Sequence, residues 1–92
     1  MPVAKPKARK ADVTVVELDG EAVVYDRRAG VLHHLNPGAS LVFRGCDGSS
    51  TIAEIAADIA DAVGEPVERI EPEVRSAIRG LRKADLLEPA RR

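Results

Sequence analysis

The first half of the chain has the alternating apolar and polar pattern of β-strands. Two runs rich in β-branched residues, Val13–Leu18 and Glu21–Asp26, are separated by Asp19-Gly20. This dipeptide is typical of a tight hairpin, because both positions tolerate a positive φ. A second turn ending at Gly30 leads into a third run, Val-Leu-His-His-Leu. The pattern predicts a three-stranded antiparallel meander.

The second half has the 3.6-residue period of helices. Asn36-Pro37 is a favourable helix start, since Asn caps free N–H groups and proline is pre-set for the first turn. Thr51 and Glu54 fit a capping box, and a third helix is expected after Pro66. The apolar residues that recur at helical spacing are Ala39, Val42, Phe43 and Cys46 in the first helix, Ile52, Ile55, Ala56, Ile59 and Val63 in the second, and Ile70, Val74, Ala77, Ile78, Leu81 and Ala84 in the third.

Glycine and proline positions mark the limits and weak points of these helices. Gly48 and Gly64 are expected to follow the ends of the first and second helices. Pro72 is expected in the first turn of the third helix, where proline is tolerated. Gly80 lowers the stability of that helix by about 1 kcal/mol relative to alanine. The predicted fold class is α+β, a three-stranded antiparallel meander followed by three helices.

Length and charge predict one folded domain with two short ends. Residues 1–10 contain four basic residues and no acidic one, so the rest of the chain has ten basic against fifteen acidic residues, a net charge of −5. We expect a flexible basic arm over residues 1–11, one domain over residues 12–88 and a tail over residues 89–92. A mildly acidic domain disfavours dense nucleic-acid binding.

Few residues are suited to chemistry. Cys46, the single cysteine, lies on an apolar helix face, where it is expected to pack as a small hydrophobe, and it cannot form an internal disulfide. His33 and His34 are adjacent, so a strand would point them to opposite faces, and they cannot share a metal ion. No acid–base pair or phosphate loop is present. We therefore expect a cytoplasmic binding protein without catalysis, metal or cofactor, and no membrane partner, since no apolar run reaches membrane-spanning length.

The third predicted strand offers an open edge. Leu32, His33 and His34 include no Lys, Asp, Glu or Pro that would block pairing with another strand. If the third helix lies beside this edge, the groove between them provides backbone hydrogen bonds and an apolar floor for an extended peptide. The helix adds a basic ridge at i, i+4 and i+7, formed by Arg75, Arg79 and Arg82. The alternative is that these three arginines form only a solvated face of the helix.

The order of the motifs resembles one known family. A hairpin is followed by His-His-Leu-Asn-Pro-Gly-Ala-Ser-Leu-Val-Phe, by Cys-Asp-Gly and by Thr-Ile-Ala-Glu-Ile-Ala. This order is similar to that of the PqqD-like family of RiPP recognition elements, which bind ribosomally synthesised precursor peptides. The resemblance implies a winged-helix-like domain that adds the leader segment of the precursor to its third strand, against its third helix. By position, the peptide-binding residues implied are Val31, Leu32, His33, His34, Leu35, Val74, Arg75, Ile78, Arg79 and Arg82.

The resemblance also implies partners. The domain would present the leader peptide to a modifying enzyme, either a radical SAM enzyme or a leader peptidase and cyclase. One alternative is a winged-helix DNA-binding regulator that uses the arginine ridge and the basic arm, although the second helix has three acids and no Lys or Arg. Another is a homodimer that forms through the open edge.

Overall fold

The computed structural model describes residues 5–89 and has the predicted order of elements. The fold is α+β and winged-helix-like, as predicted. Three strands form one antiparallel sheet of order β1-β2-β3, and three helices follow. The elements are β1 (Val13–Leu18), β2 (Glu21–Asp26), β3 (Val31–Leu35), α1 (Pro37–Gly45), α2 (Ile52–Val63) and α3 (Val67–Lys83).

The two predicted turns set the register of the sheet. Asp19 and Gly20 have φ values of 51° and 81°, and Gly30 has a φ of 69°. Val24 of the central strand β2 pairs with Val15 on one side and with His33 on the other. Both β1 and β3 are therefore edge strands of the described sheet.

The core lies between the inner face of the sheet and the three helices. It is aliphatic, as the composition predicts, and Phe43 is its one aromatic side chain. The last two core positions come from Leu86 and Leu87, which follow α3. The buried apolar residues are Ala22, Val24, Leu35, Val42, Phe43, Cys46, Ile55, Ala56, Ala60, Val74, Ile78, Leu81, Leu86 and Leu87.

The predicted caps of α1 and α2 are present. The Asn36 side chain accepts a hydrogen bond from the Ala39 N–H at 2.8 Å. Thr51 and Glu54 form both bonds of the capping box, at 2.7 and 3.1 Å. Gly64 ends α2 in the left-handed conformation. These caps confirm where α1 and α2 begin and where α2 ends.

One of the predicted glycine and proline positions agrees with the structure, and one differs. The first helix ends at Gly45, and Gly48 lies in the loop that follows. The third helix begins at Val67, so Pro72 lies in its second turn rather than its first. Proline has no N–H for the carbonyl of Glu68, but both residues are exposed, and water can solvate that carbonyl.

Part of the predicted arm packs on the domain. Over residues 6–9 the backbone forms hydrogen bonds with the loop after α1 and with the segment after α3. Arg9 is buried, and its guanidinium donates to the carboxylate of Asp26 at 2.9 Å. The folded unit thus starts before residue 12, because this segment pairs backbone groups that the helices leave free. Residues 1–4 of the predicted arm and 90–92 of the predicted tail lie outside the described residues.

The longest helix of the described part is α3. None of the helices in residues 5–89 is long and apolar enough to cross a membrane.

Candidate functional site

The open edge of β3 faces a groove whose other wall is α3. The strand pairs with β2 on one side only. No Cα atom of β3 comes within 8 Å of a Cα atom of α3, so the two elements are not packed side by side. A cavity of about 410 Å³ lies between them. Its lining residues are Leu32, His33, His34, Leu35, Ala39, Ala77, Gly80, Leu81, Ala84 and Leu86.

The side chains of β3 alternate between the two faces of the sheet. His33 pairs with the buried Val24 and is half-buried, whereas His34 is exposed. The Nε2 atom of His34 contacts the carboxylate of Glu21 on β2. Leu32 is 67% exposed. The two histidines therefore lie on opposite faces, as predicted. Residues 5–89 contain no cluster of His, Cys, Asp and Glu that could hold a metal ion.

The side of the groove formed by α3 consists mainly of small residues. Ala77, Gly80 and Ala84 are its smallest lining residues, and Leu81 lies beneath them in the core. A Cβ atom built on Gly80 would have no neighbour within 4 Å. The space next to β3 is therefore open on the helix side, as the approach of a second backbone requires.

Six of the ten predicted site residues do not line the groove. Val31 is exposed at the start of β3, and the other five are on α3. Val74 and Ile78 are 1% and 4% exposed and belong to the core. The arginine ridge is exposed but does not line the groove. At 100° per residue, each of its members lies at least about 100° around α3 from every groove-lining residue of that helix. The ridge consists of Arg75, which pairs with Glu71, together with Arg79 and Arg82.

The arginines therefore give the groove no basic wall. The positive charge of Arg82 acts instead on Cys46, just after α1, where it opposes the rise in the pKa of the thiol. Apolar side chains dominate the groove, and its polar lining residues are His33 and His34, of which His34 has its side chain on the other face of the sheet, against Glu21. Such a surface suits an extended peptide better than a phosphate backbone.

Ser40 fixes the end of β3 against α1. Its hydroxyl is fully buried, accepts a hydrogen bond from the Ala22 N–H at 2.8 Å and donates to the Leu35 carbonyl at 3.1 Å. This contact joins the first residues of β2, the last residue of β3 and the first helix. The sequence reasoning did not identify Ser40. The backbone N–H that needs a partner lies 18 residues away, so no local pattern reveals it.

The cysteine is unsuited to nucleophilic chemistry. Cys46 is 3% exposed. Burial, reinforced by the negative charge of Asp47, raises the pKa of its thiol to about 11. At neutral pH the thiolate is therefore a negligible fraction. Cys46, the residue that follows α1, packs as a small hydrophobe, as expected from its spacing to the apolar residues of that helix.

The fold and the groove define a winged-helix-like domain with one open strand edge beside a helix. The family model of Coenzyme PQQ synthesis protein D (PqqD) matches residues 21–87, well over half of the chain, so the chain belongs to the PqqD family. No match was found among curated proteins.

Two solved structures share the fold. One is TbiB1 in complex with the TbiA(beta) leader peptide, with 21% sequence identity, a TM-score of 0.77 and coverage of 94% of this chain and 99% of that chain. The other is lasso peptide synthetase B1 complexed with the leader peptide, with 20% identity, a TM-score of 0.77 and coverage of 94% and 100%. At this identity the likeness establishes the architecture.

Proposed function

We propose that the protein binds the leader segment of a ribosomally synthesised precursor peptide, which adds as a strand to the open edge of β3. The observation that carries this proposal is the groove of about 410 Å³ between β3 and α3. Membership of the PqqD family and the two solved neighbours, both complexes with a leader peptide, support it.

The geometry indicates how the peptide is held. Backbone groups on the free side of Val31–Leu35 bond to the guest strand, whose side chains alternate between the groove and solvent. Groove-facing side chains of the guest pack against Leu81 and Leu86, and the small wall at Gly80 leaves room for its backbone. Backbone bonds supply affinity, and the apolar floor selects alternate apolar side chains.

The protein's role is that of an adaptor without catalysis. Cys46, the one thiol in the chain, is buried with a raised pKa. The partner would be the enzyme that modifies the bound precursor, a radical SAM enzyme or a leader peptidase and cyclase. It would act in the cytoplasm, where precursor peptides are made.

The DNA-binding alternative is not favoured. The second helix exposes Glu54, Asp58 and Asp61 and has no Lys or Arg. On α3, one arginine of the ridge is already paired with Glu71. Duplex binding with a steep salt dependence would favour the alternative, since each phosphate contact releases a counterion.

Calorimetric titration with synthetic leader segments of the precursor peptides encoded in the same genome tests the proposal. In an antiparallel edge strand, alternate residues direct their N–H groups to the neighbour and away from it. One of His33→Pro and His34→Pro therefore spares the β2–β3 ladder, and that variant should fold and lose binding. Thr14→Pro and Val15→Pro on the other edge provide the matched controls.

The outcomes are distinct. We expect the wild type to bind the leader at micromolar concentration or below, and the folded β3 variant to bind at least about tenfold more weakly, a difference of about 1.4 kcal/mol. No binding by the wild type at tens of micromolar, or no loss in the folded β3 variant, would contradict strand addition at β3.

A further inference from the structure

A second and larger cavity adjoins the groove. Its volume is about 720 Å³, and it lies between the start of α1, the end of α2 and the first half of α3. Ala39 and Ala77 line both cavities. The two cavities therefore adjoin at two small side chains.

The lining of this cavity is apolar with one charged group. Apolar walls come from all three helices: Leu41 and Val42, Ile59 and Val63, and Ile70 and Val74. Glu73 is the only charged lining residue. Glu65 and Glu71 pair with Arg69 and Arg75, whereas Glu73 pairs with no cation within residues 5–89. The cavity thus combines a surface for an apolar side chain with an unpaired carboxylate at its edge.

The path of the chain relates this cavity to the guest strand. Residues 32–35 of β3 line the groove, and residues 36–39, 41 and 42, which follow, line the cavity. A strand that pairs antiparallel to β3 has its N-terminal end beside Leu35, next to the cavity. Antiparallel pairs are slightly more stable per residue than parallel ones and outnumber them.

We propose that this second cavity binds the leader segment immediately N-terminal to the guest strand. An apolar side chain of that segment enters the cavity, and a neighbouring Lys or Arg pairs with Glu73. This inference rests on the proposed function, and it adds a specificity determinant outside the strand edge. The five residues of β3 span about 17 Å at 3.4 Å per residue. A leader that extends N-terminally beyond the guest strand therefore continues past Leu35 toward Ala39 and Ala77, which line the cavity.

Charge reversal provides the first test. Glu73→Lys places a cation beside the incoming Lys or Arg and should weaken binding of the synthetic leader about tenfold or more, because like charges repel. Glu68→Lys, an exposed position on α3 that does not line the cavity, makes the same change in net charge and should bind like the wild type.

Polarity of the wall provides the second test. Val63 is 47% exposed and lines the cavity, whereas its neighbour Ala62 is exposed and does not. Val63→Asp should weaken leader binding, and Ala62→Asp should not. Both changes add one acid to the end of α2, so the pair cancels their common effect on helix stability.

A truncated peptide separates this inference from strand addition. Removing the peptide residues N-terminal to the guest strand should reduce the affinity of the wild type. The truncated peptide should then bind Glu73→Lys and the wild type with equal affinity. If the full leader binds both equally while proline in β3 abolishes binding, the cavity proposal fails and strand addition stands. If the wild type does not bind the leader at all, both proposals fail.

Discussion

The buried hydroxyl of Ser40 forms two hydrogen bonds next to the groove. It joins the N–H of Ala22 to the carbonyl of Leu35, so it fixes the end of β3 where the proposed peptide leaves the sheet. Within the chain, Ser40 occupies an interior position of α1. Its role depends on how β2 packs against that helix.

Replacing Ser40 with Ala should therefore reduce stability more than its size implies. The Ala22 N–H would remain buried without a partner, and we expect the free energy of unfolding to fall by about 1–3 kcal/mol. Denaturant unfolding checks this value. Ser76→Ala, an exposed serine on α3, should change the free energy of unfolding by no more than about 0.5 kcal/mol. Equal effects for the two serines would show that the Ser40 hydroxyl contributes little.

Single residues differ in how far the sequence predicts their place. The opposite orientations of His33 and His34 follow from strand geometry alone, and the structure has them. The buried state of Cys46 follows from its spacing to Ala39, Val42 and Phe43. Ser40 was missed because serine in a helix is usually exposed, and only the three-dimensional contact distinguishes it.

At the scale of elements, α3 decides whether a strand can approach β3. Gly80 costs the helix about 1 kcal/mol relative to alanine, and it forms part of the open wall of the groove. We infer that the cost is tolerated because a side chain at this position would enter the space of the guest strand.

Gly80→Leu tests the role of this open wall. Leucine is a better helix former than glycine, so the variant should be at least as stable as the wild type. Its side chain should fill part of the groove and weaken leader binding by more than about tenfold, or 1.4 kcal/mol. Arg79→Leu, on the side of α3 away from the groove, is the control and should retain binding. Unchanged affinity in Gly80→Leu would exclude this wall from the site.

The sequence predicts where the strands and helices lie better than it predicts which residues of a helix face the core and which face the groove. Strand bounds and helix caps are encoded locally, at Asp19-Gly20, Asn36 and Thr51, and these were confirmed. The apolar stripe of α3 was also found, but its small members Ala77 and Ala84 line the groove while Val74 and Ile78 fill the core. Spacing identifies an arginine ridge, but packing against the other helices decides which way the ridge points.

At the scale of the whole molecule, the N-terminal segment connects distant parts of the chain. Ala8 and Arg9 donate backbone hydrogen bonds to Cys46 and Leu86, at 2.8 and 2.9 Å. The Arg9 guanidinium also bonds to the carbonyl of Asp85 at 2.9 Å. Composition predicted that this segment is a flexible arm. The prediction missed its packing because its hydrogen-bond partners lie about 40 and 80 residues away along the chain, and no local pattern indicates them.

Arg9→Met should destabilise the protein more than Arg28→Met. Arg9 is 8% exposed, and its loss leaves the buried Asp26 carboxylate without its charged partner. Arg28 pairs with Asp12 at the surface, where ion pairs contribute little. Thermal unfolding of the two variants measures the difference, and equal melting temperatures would contradict a structural role for the Arg9–Asp26 pair.

The same pair predicts a pH dependence. The hydrogen bond from Arg9 lowers the pKa of Asp26 from its ordinary value of 3.8. The stabilisation of the folded state by the Arg9–Asp26 pair is therefore complete above pH 3.8 and is lost as pH falls through the folded-state pKa of Asp26. Denaturant unfolding between about pH 5 and pH 2 should show a steeper loss of stability in the wild type than in Asp26→Asn. Parallel profiles would contradict the assignment.

Amide hydrogen exchange with and without the synthetic leader tests strand addition at β3 most directly. The free edge of Val31–Leu35 should exchange quickly in the unbound protein and gain protection on binding, because its N–H groups then bond to the guest strand. The outer edge of β1 should not change. Protection that appears at β1 or along the arginine ridge, with none at β3, would contradict the account.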